Sequence, residues 1–184
     1  MKTNRFTWLL QQFYMIVLAS LMFWINLLRG FVLFGWTYSF TKTFAYLRAS
    51  YYDKYREATR GAKVKFDGSN LMAWLMLCLV VFIGRFPLSN MTTFILVVAL
   101  AYFILLMIYI IFKSYFGQVR FVDVMQKIMT NWSLAFYVLM LLILALILTG
   151  FSKIIFIIFV PGFLCKMLVV VFQRLDKKNI KREE

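Results

Sequence analysis

The chain predicts an all-α, polytopic transmembrane bundle, and three observations predict it. Of its 184 residues 64% are hydrophobic and only 15% are charged, whereas soluble domains are about half apolar and a quarter charged. Apolar runs recur that are long enough to cross roughly 30 Å of hydrocarbon as helices. Nothing resembles the shorter alternating pattern of a membrane barrel, and in lipid only helices or closed barrels satisfy the backbone. Residues 1–184 therefore read as one helical membrane domain with no soluble domain left over.

The opening "MKTNRFTWLL" imitates a signal peptide, a basic start followed by an apolar run. Gln11 and Gln12 interrupt that run, and hydrophobicity continues to about residue 36 without a cleavage site, so a retained first span is expected. Trp8 to Leu47 holds 40 residues, which as one straight helix would measure about 60 Å. A stretch twice as long as the hydrocarbon is thick must bend. Segment 1–47 is then either a hairpin with its apex at Arg29 and Gly30, or one span to about Leu28 followed by an interfacial helix. An arginine at mid-span costs about 2.5–3.5 kcal/mol on insertion scales. At an apex it costs little, and Gly30 supplies the flexible turn.

Four further spans are expected, from Asn70 to Phe86, Met91 to Phe112, Trp132 to Phe151 and Ile154 to Phe172. The tight connections "PLSN" and "GFSK" pair them into a second hairpin over 70–112 and a third over 132–172. Between the hairpins lie a basic connector, 48–69, and an amphipathic segment, 113–131. A charged tail, 173–184, follows.

Charge orients the spans. Seven Lys or Arg residues lie between Lys42 and Lys65, three between 113 and 127, and five between Arg174 and Arg182, while the short turns carry only Arg85 and Lys153. The basic side is cytoplasmic by the positive-inside rule. A double crossing over 1–47 also brings Lys2 and Arg5 inside, so six crossings with both termini in the cytoplasm are expected, and five are the alternative. Lys42, near the end of the second leg, would snorkel to the headgroups.

Two connecting segments read as short cytoplasmic interfacial helices. In "LRASYYDKYREATR", Tyr51, Tyr52 and Tyr55 group at helical spacing beside Arg48, Lys54, Arg56 and Arg60. Asp53 with Arg56 and Glu57 with Arg60 are spaced to pair, each contributing a few tenths of a kcal/mol. In "FVDVMQKIMTNW", Phe121, Val124, Met125, Ile128, Met129 and Trp132 share one face. Such a methionine-rich face either lies on the protein's own bundle or on lipid, or docks a partner.

The net charge of +14 is accounted for by anionic lipid headgroups, and no nucleic acid is expected. Cys78 and Cys165 fall in apolar runs without paired spacing, and the chain has no histidine. Both cysteines are expected to be buried small hydrophobes, with no metal and no cofactor. All seven acidic residues lie outside the four later spans, so no proton acceptor is supplied at membrane depth. Ser152 with Lys153 lies at a turn and Lys166 has no serine beside it, which leaves no credible nucleophile pair. The chain is therefore expected not to be an enzyme. Gln12, Asn26 and Lys166 are expected to make intramembrane polar contacts. Pro161 and Gly162 should kink the last span and free a carbonyl for a neighbouring polar group.

This order of features resembles the YesL-like family of small bacterial integral membrane proteins. The resemblance rests on a first helix carrying "NLL", a break near "VLFGWTYSFTKTF", a basic connector, a hairpin, the stretch "YFGQVRFVDVMQKIMTNWSLAFYVLMLLI" (115–143) and a final span with Pro161. Where that family shows a "GPATAA"-like break, this chain has "GWTYSF". The resemblance implies a bacterial cytoplasmic membrane protein that partners other membrane transport subunits, as an accessory or regulatory subunit of a carbohydrate ABC importer. Two alternatives stay open. One is the substrate-binding membrane component of an energy-coupling-factor importer, against which Ala19 has no small residue at 15 or 23. The other is a small channel or lipid-binding protein.

Overall fold

The structure, a computed structural model, describes residues 5–30, 35–52, 68–87, 89–117 and 120–183. Among them are seven helices and no strand: α1 (Arg5–Arg29), α2 (Gly35–Tyr52), α3 (Gly68–Ile83), α4 (Asn90–Phe116), α5 (Phe121–Thr130), α6 (Trp132–Phe151) and α7 (Lys153–Glu183). The expected pairs Asp53–Arg56 and Glu57–Arg60, the third tyrosine of the connector, Tyr55, and the terminal Lys2 lie outside the described residues. The tail is helical to Glu183, as a continuation of α7.

Each boundary has a local cause. Ser89 and Thr92 form a capping box at the start of α4: the Ser89 hydroxyl accepts from the Thr92 N–H at 3.3 Å, and the Ser89 N–H donates to the Thr92 hydroxyl at 2.7 Å. At its other end Gly117 takes φ 65°, and its N–H closes on the Lys113 carbonyl at 3.0 Å. Asn131 separates α5 from α6. Its backbone N–H ends α5 on the Lys127 carbonyl, and its carbonyl starts α6 by accepting from Leu134 and Ala135. The two helices meet there at 95°. Ser152, in extended conformation, is the single residue between α6 and α7.

Among the described residues two helices, α1 and α4, are long and apolar enough to cross a membrane, and the bent α5–α6 pair makes a third if counted as one span. Length and composition alone thus give two to three crossings rather than six. The shortfall has a physical reason. α3 has only 16 residues, about 24 Å of helix. α2 is diluted by Thr37, Ser39, Thr41, Lys42 and Thr43. It is also the most enclosed helix, packing on α1, α3, α4 and α7, with Ser39, Phe40, Thr43, Phe44 and Leu47 buried. A helix wrapped in protein does not need an apolar exterior, and small polar residues let neighbours approach. Other helices turn apolar side chains outward, among them Leu75 and Phe82 on α3, Phe94 and Val98 on α4, and Met140 and Ile147 on α6.

Consecutive helices pack in pairs: α1 on α2, α3 on α4, and α6 on α7. In the first pair a Cβ at Gly35 would lie 2.6 Å from the Leu27 carbonyl oxygen, and the Phe23 and Phe40 rings are 5.0 Å apart. Arg29 is the exposed last residue of α1, and the Gly30 N–H turns back onto the Asn26 carbonyl at 3.1 Å. The start of α2 is placed by two bonds. Thr37, in the first turn of α2, bonds Asn70 at the start of α3 and Ser114 near the end of α4. The start of α2 therefore lies at the opposite end of the α3–α4 hairpin from the turn that carries Arg85. The cysteines also differ from expectation, since Cys165 is buried but Cys78 is exposed on α3.

Candidate functional site

The bundle is organised by a polar seam between α1 and α7. The Lys166 ammonium donates to the Gln12 side-chain carbonyl. The Gly162 N–H donates to the Ser20 hydroxyl at 2.8 Å, and the Trp24 indole N–H donates to the Ile157 carbonyl at 2.8 Å. Numbers rise along α1 as they fall along α7, so the two helices are antiparallel.

Pro161 explains two of these bonds. Proline has no N–H and crowds the carbonyl four residues earlier, which here is Ile157. Trp24 takes that freed carbonyl, and Ser20 takes the N–H of the next residue. α7 remains helical across Pro161. Gly162 is required by distance: a Cβ there would fall 2.1 Å from the Ile16 carbonyl oxygen and 2.6 Å from the Ser20 hydroxyl. Of the three expected polar residues, Gln12 and Lys166 meet each other. Asn26 does not bridge helices. It is buried and its amide bonds back to the Met22 carbonyl of its own helix at 2.7 Å, the local alternative open to asparagine within a helix.

A second polar node ties α2 to the α3–α4 hairpin. The fully buried Asn70 accepts from both the Thr37 N–H, at 3.2 Å, and the Thr37 hydroxyl, at 2.8 Å. The first N–H groups of a helix have no partner within it, so Asn70 caps α2 from another helix. Ser114 donates to the Ile110 carbonyl at 2.7 Å and lies 3.3 Å from that of Thr37. Nearby the Arg48 guanidinium stands 3.8 Å above the Tyr115 ring and donates to the Tyr115 carbonyl at 3.1 Å. Tyr115 in turn stacks on Phe172 of α7 at 4.1 Å. Trp24, Thr37 and Tyr115 were not singled out by sequence, Asn70 was read only as the start of a span, and Arg48 only as part of an interfacial helix. Single serines, asparagines and tryptophans in apolar runs become informative only once their partners, 33 to 142 residues away, are known.

The α5 face is divided. Val124 is fully buried, and Met125 and Ile128 pack on the core. Phe121, Met129 and Trp132 are exposed at 60%, 76% and 72%. The right-angle bend at Asn131 creates a groove of about 580 Å³ in its crook, lined by Phe121, Met125, Ile128 and Trp132 together with Tyr102 and Tyr109 of α4. Phe121 leans on Tyr109 at 5.4 Å. Met129 lies outside the groove, so the six residues do not form one continuous surface.

A cavity of about 430 Å³ lies among α1, α2, α3, α4, α6 and α7, lined by apolar and aromatic side chains throughout. Among the described residues no cluster of three or more His, Cys, Asp or Glu stands together. No protein-family model, curated protein or solved structure matches this chain.

Proposed function

We propose that the chain is a non-catalytic, multi-pass membrane subunit that works by association, as an accessory or regulatory component of a transport complex. The observation that carries this reading is α5. It is an amphipathic helix at 95° to the apolar α6, and it presents Phe121, Val122 and Met129 beside an apolar groove. A helix perpendicular to a span lies along the membrane surface, where its free apolar side can meet a partner subunit. The resemblance to the YesL-like family supports a carbohydrate ABC importer as that complex.

The same reading carries a topology. α1 and α7 are antiparallel, which supports both termini on one side, and the basic segments make that side cytoplasmic. α2 is the short return leg of the first hairpin, sheltered by its neighbours; it starts at the end of the α3–α4 hairpin away from Arg85 and counts as a partial sixth crossing. The membrane is the bacterial cytoplasmic membrane, and anionic headgroups neutralise the basic face.

Affinity purification in mild detergent, with a photo-crosslinking residue at Met129, tests the reading. Recovery of a crosslinked permease or ATPase subunit is the expected outcome. A lone, uncrosslinked monomer at every detergent concentration would contradict it.

A further inference from the structure

We infer that the central cavity binds one hydrocarbon chain of a membrane lipid, and this rests on the membrane reading above. Six helices contribute to its wall, through Phe23, Trp36, Trp74, Met107, Ala145 and Leu164 among others. Among the described residues no side chain fills it. Interiors pack densely, and a void forfeits the contacts of every atom that lines it. Water gains nothing there, because an apolar cavity of even about 150 Å³ stays dry and instead takes up an apolar molecule. At about 430 Å³ the cavity falls within the size range of ligand sites. The apolar molecules surrounding a membrane bundle are lipid chains.

The packing also leaves a way in. Among the described residues α3 approaches only α4 and α2, and its backbone meets none of α1, α6 and α7. Trp74 and Leu77 of α3 nevertheless line the cavity opposite side chains of all three. Leu146 of α6 belongs to the cavity wall and is 44% exposed. A chain therefore enters sideways from the bilayer, between α3 and α6. An acyl chain and a prenyl chain share the required chemistry.

The tryptophans supply a reporter. Trp24, Trp36 and Trp74 line the cavity, whereas Trp8 and Trp132 are exposed on the bundle surface. The full-length Trp8→Phe, Trp132→Phe double variant is reconstituted into phosphatidylglycerol–phosphatidylcholine vesicles with or without bromine on the acyl chains. Bromine quenches at contact distance, so brominated vesicles should give about twofold weaker emission. Adding Ala145→Phe, or separately Val160→Phe, fills the cavity from a different helix and should restore the emission. A polyprenol added to brominated vesicles also restores it if the prenyl chain is preferred, and leaves it quenched if the acyl chain is. Circular dichroism and vesicle flotation accompany each sample. In native mass spectrometry the delipidated wild-type chain should rebind one phospholipid or one polyprenol. Protein that floats but is unquenched, or is quenched equally in both filled variants, overturns the inference alone. Protein that does not float overturns the membrane reading and the inference with it.

Discussion

The α1–α7 seam and the flank of α3 are built on opposite principles. Along the seam, polar groups meet in register and Gly162 lets the backbones close to a distance that excludes even a methyl group. Along the inner flank of α3, beyond the Asn70 node, the contacts are apolar and the helices stand apart around a cavity. Lipid is as apolar as leucine, so in a membrane greasy side chains alone do not draw helices together. Small residues and hydrogen bonds do. The contrast teaches where this molecule is fixed and where it can admit a guest.

The largest expected effect is a break in the seam. Gly162→Leu forces a side chain into the Ile16 carbonyl and Ser20, and should cost about 3 kcal/mol, read as earlier unfolding in mixed micelles. An unchanged unfolding curve would show that α1 and α7 do not approach this closely. Next comes Asn70→Leu, which removes the acceptor from two Thr37 donors and should cost about 1–2 kcal/mol. Because Asn70 joins α3 to α2, labelling of the exposed Cys78 on α3 should also change, while that of Cys165 stays slow.

The smallest effect is the sharpest. Trp24→Phe should cost about 0.6 kcal/mol, the average for such bonds between membrane helices. In a Pro161→Ala background the Ile157 carbonyl regains a partner within its own helix, and the cost of Trp24→Phe should vanish. A double-mutant cycle reads that coupling directly. Equal costs in the two backgrounds would mean that Trp24 does not serve the carbonyl that proline frees.

Much of the helical architecture was legible in the sequence because it depends on local pattern. Apolar runs between turn residues marked the helices, "PLSN" and "GFSK" marked two turns, and Arg29–Gly30 marked the end of α1. Pro161 announced a freed carbonyl by simple chemistry. What stayed illegible depends on pairing. Nothing local says that Trp24 answers Pro161, that Asn70 caps a helix 33 residues away, or that Asn26 bonds to its own helix. The level at which α2 starts was hidden for the same reason. Charge counts assign sides to spans, but they carry no information on depth. The α5 face was visible as a face, yet its division between core, groove and surface depends on the bend at Asn131.

The central claim is a bundle whose first and last helices run antiparallel with both termini on one side. Side-specific cysteine labelling tests it most directly, in a Cys78→Ser, Cys165→Ala chain with single cysteines at positions 2, 29, 60 and 85. An impermeant reagent applied from outside should label Arg85→Cys and Arg29→Cys, and should spare Lys2→Cys and Arg60→Cys until the inner face is opened. Labelling of Lys2→Cys from outside would contradict the account.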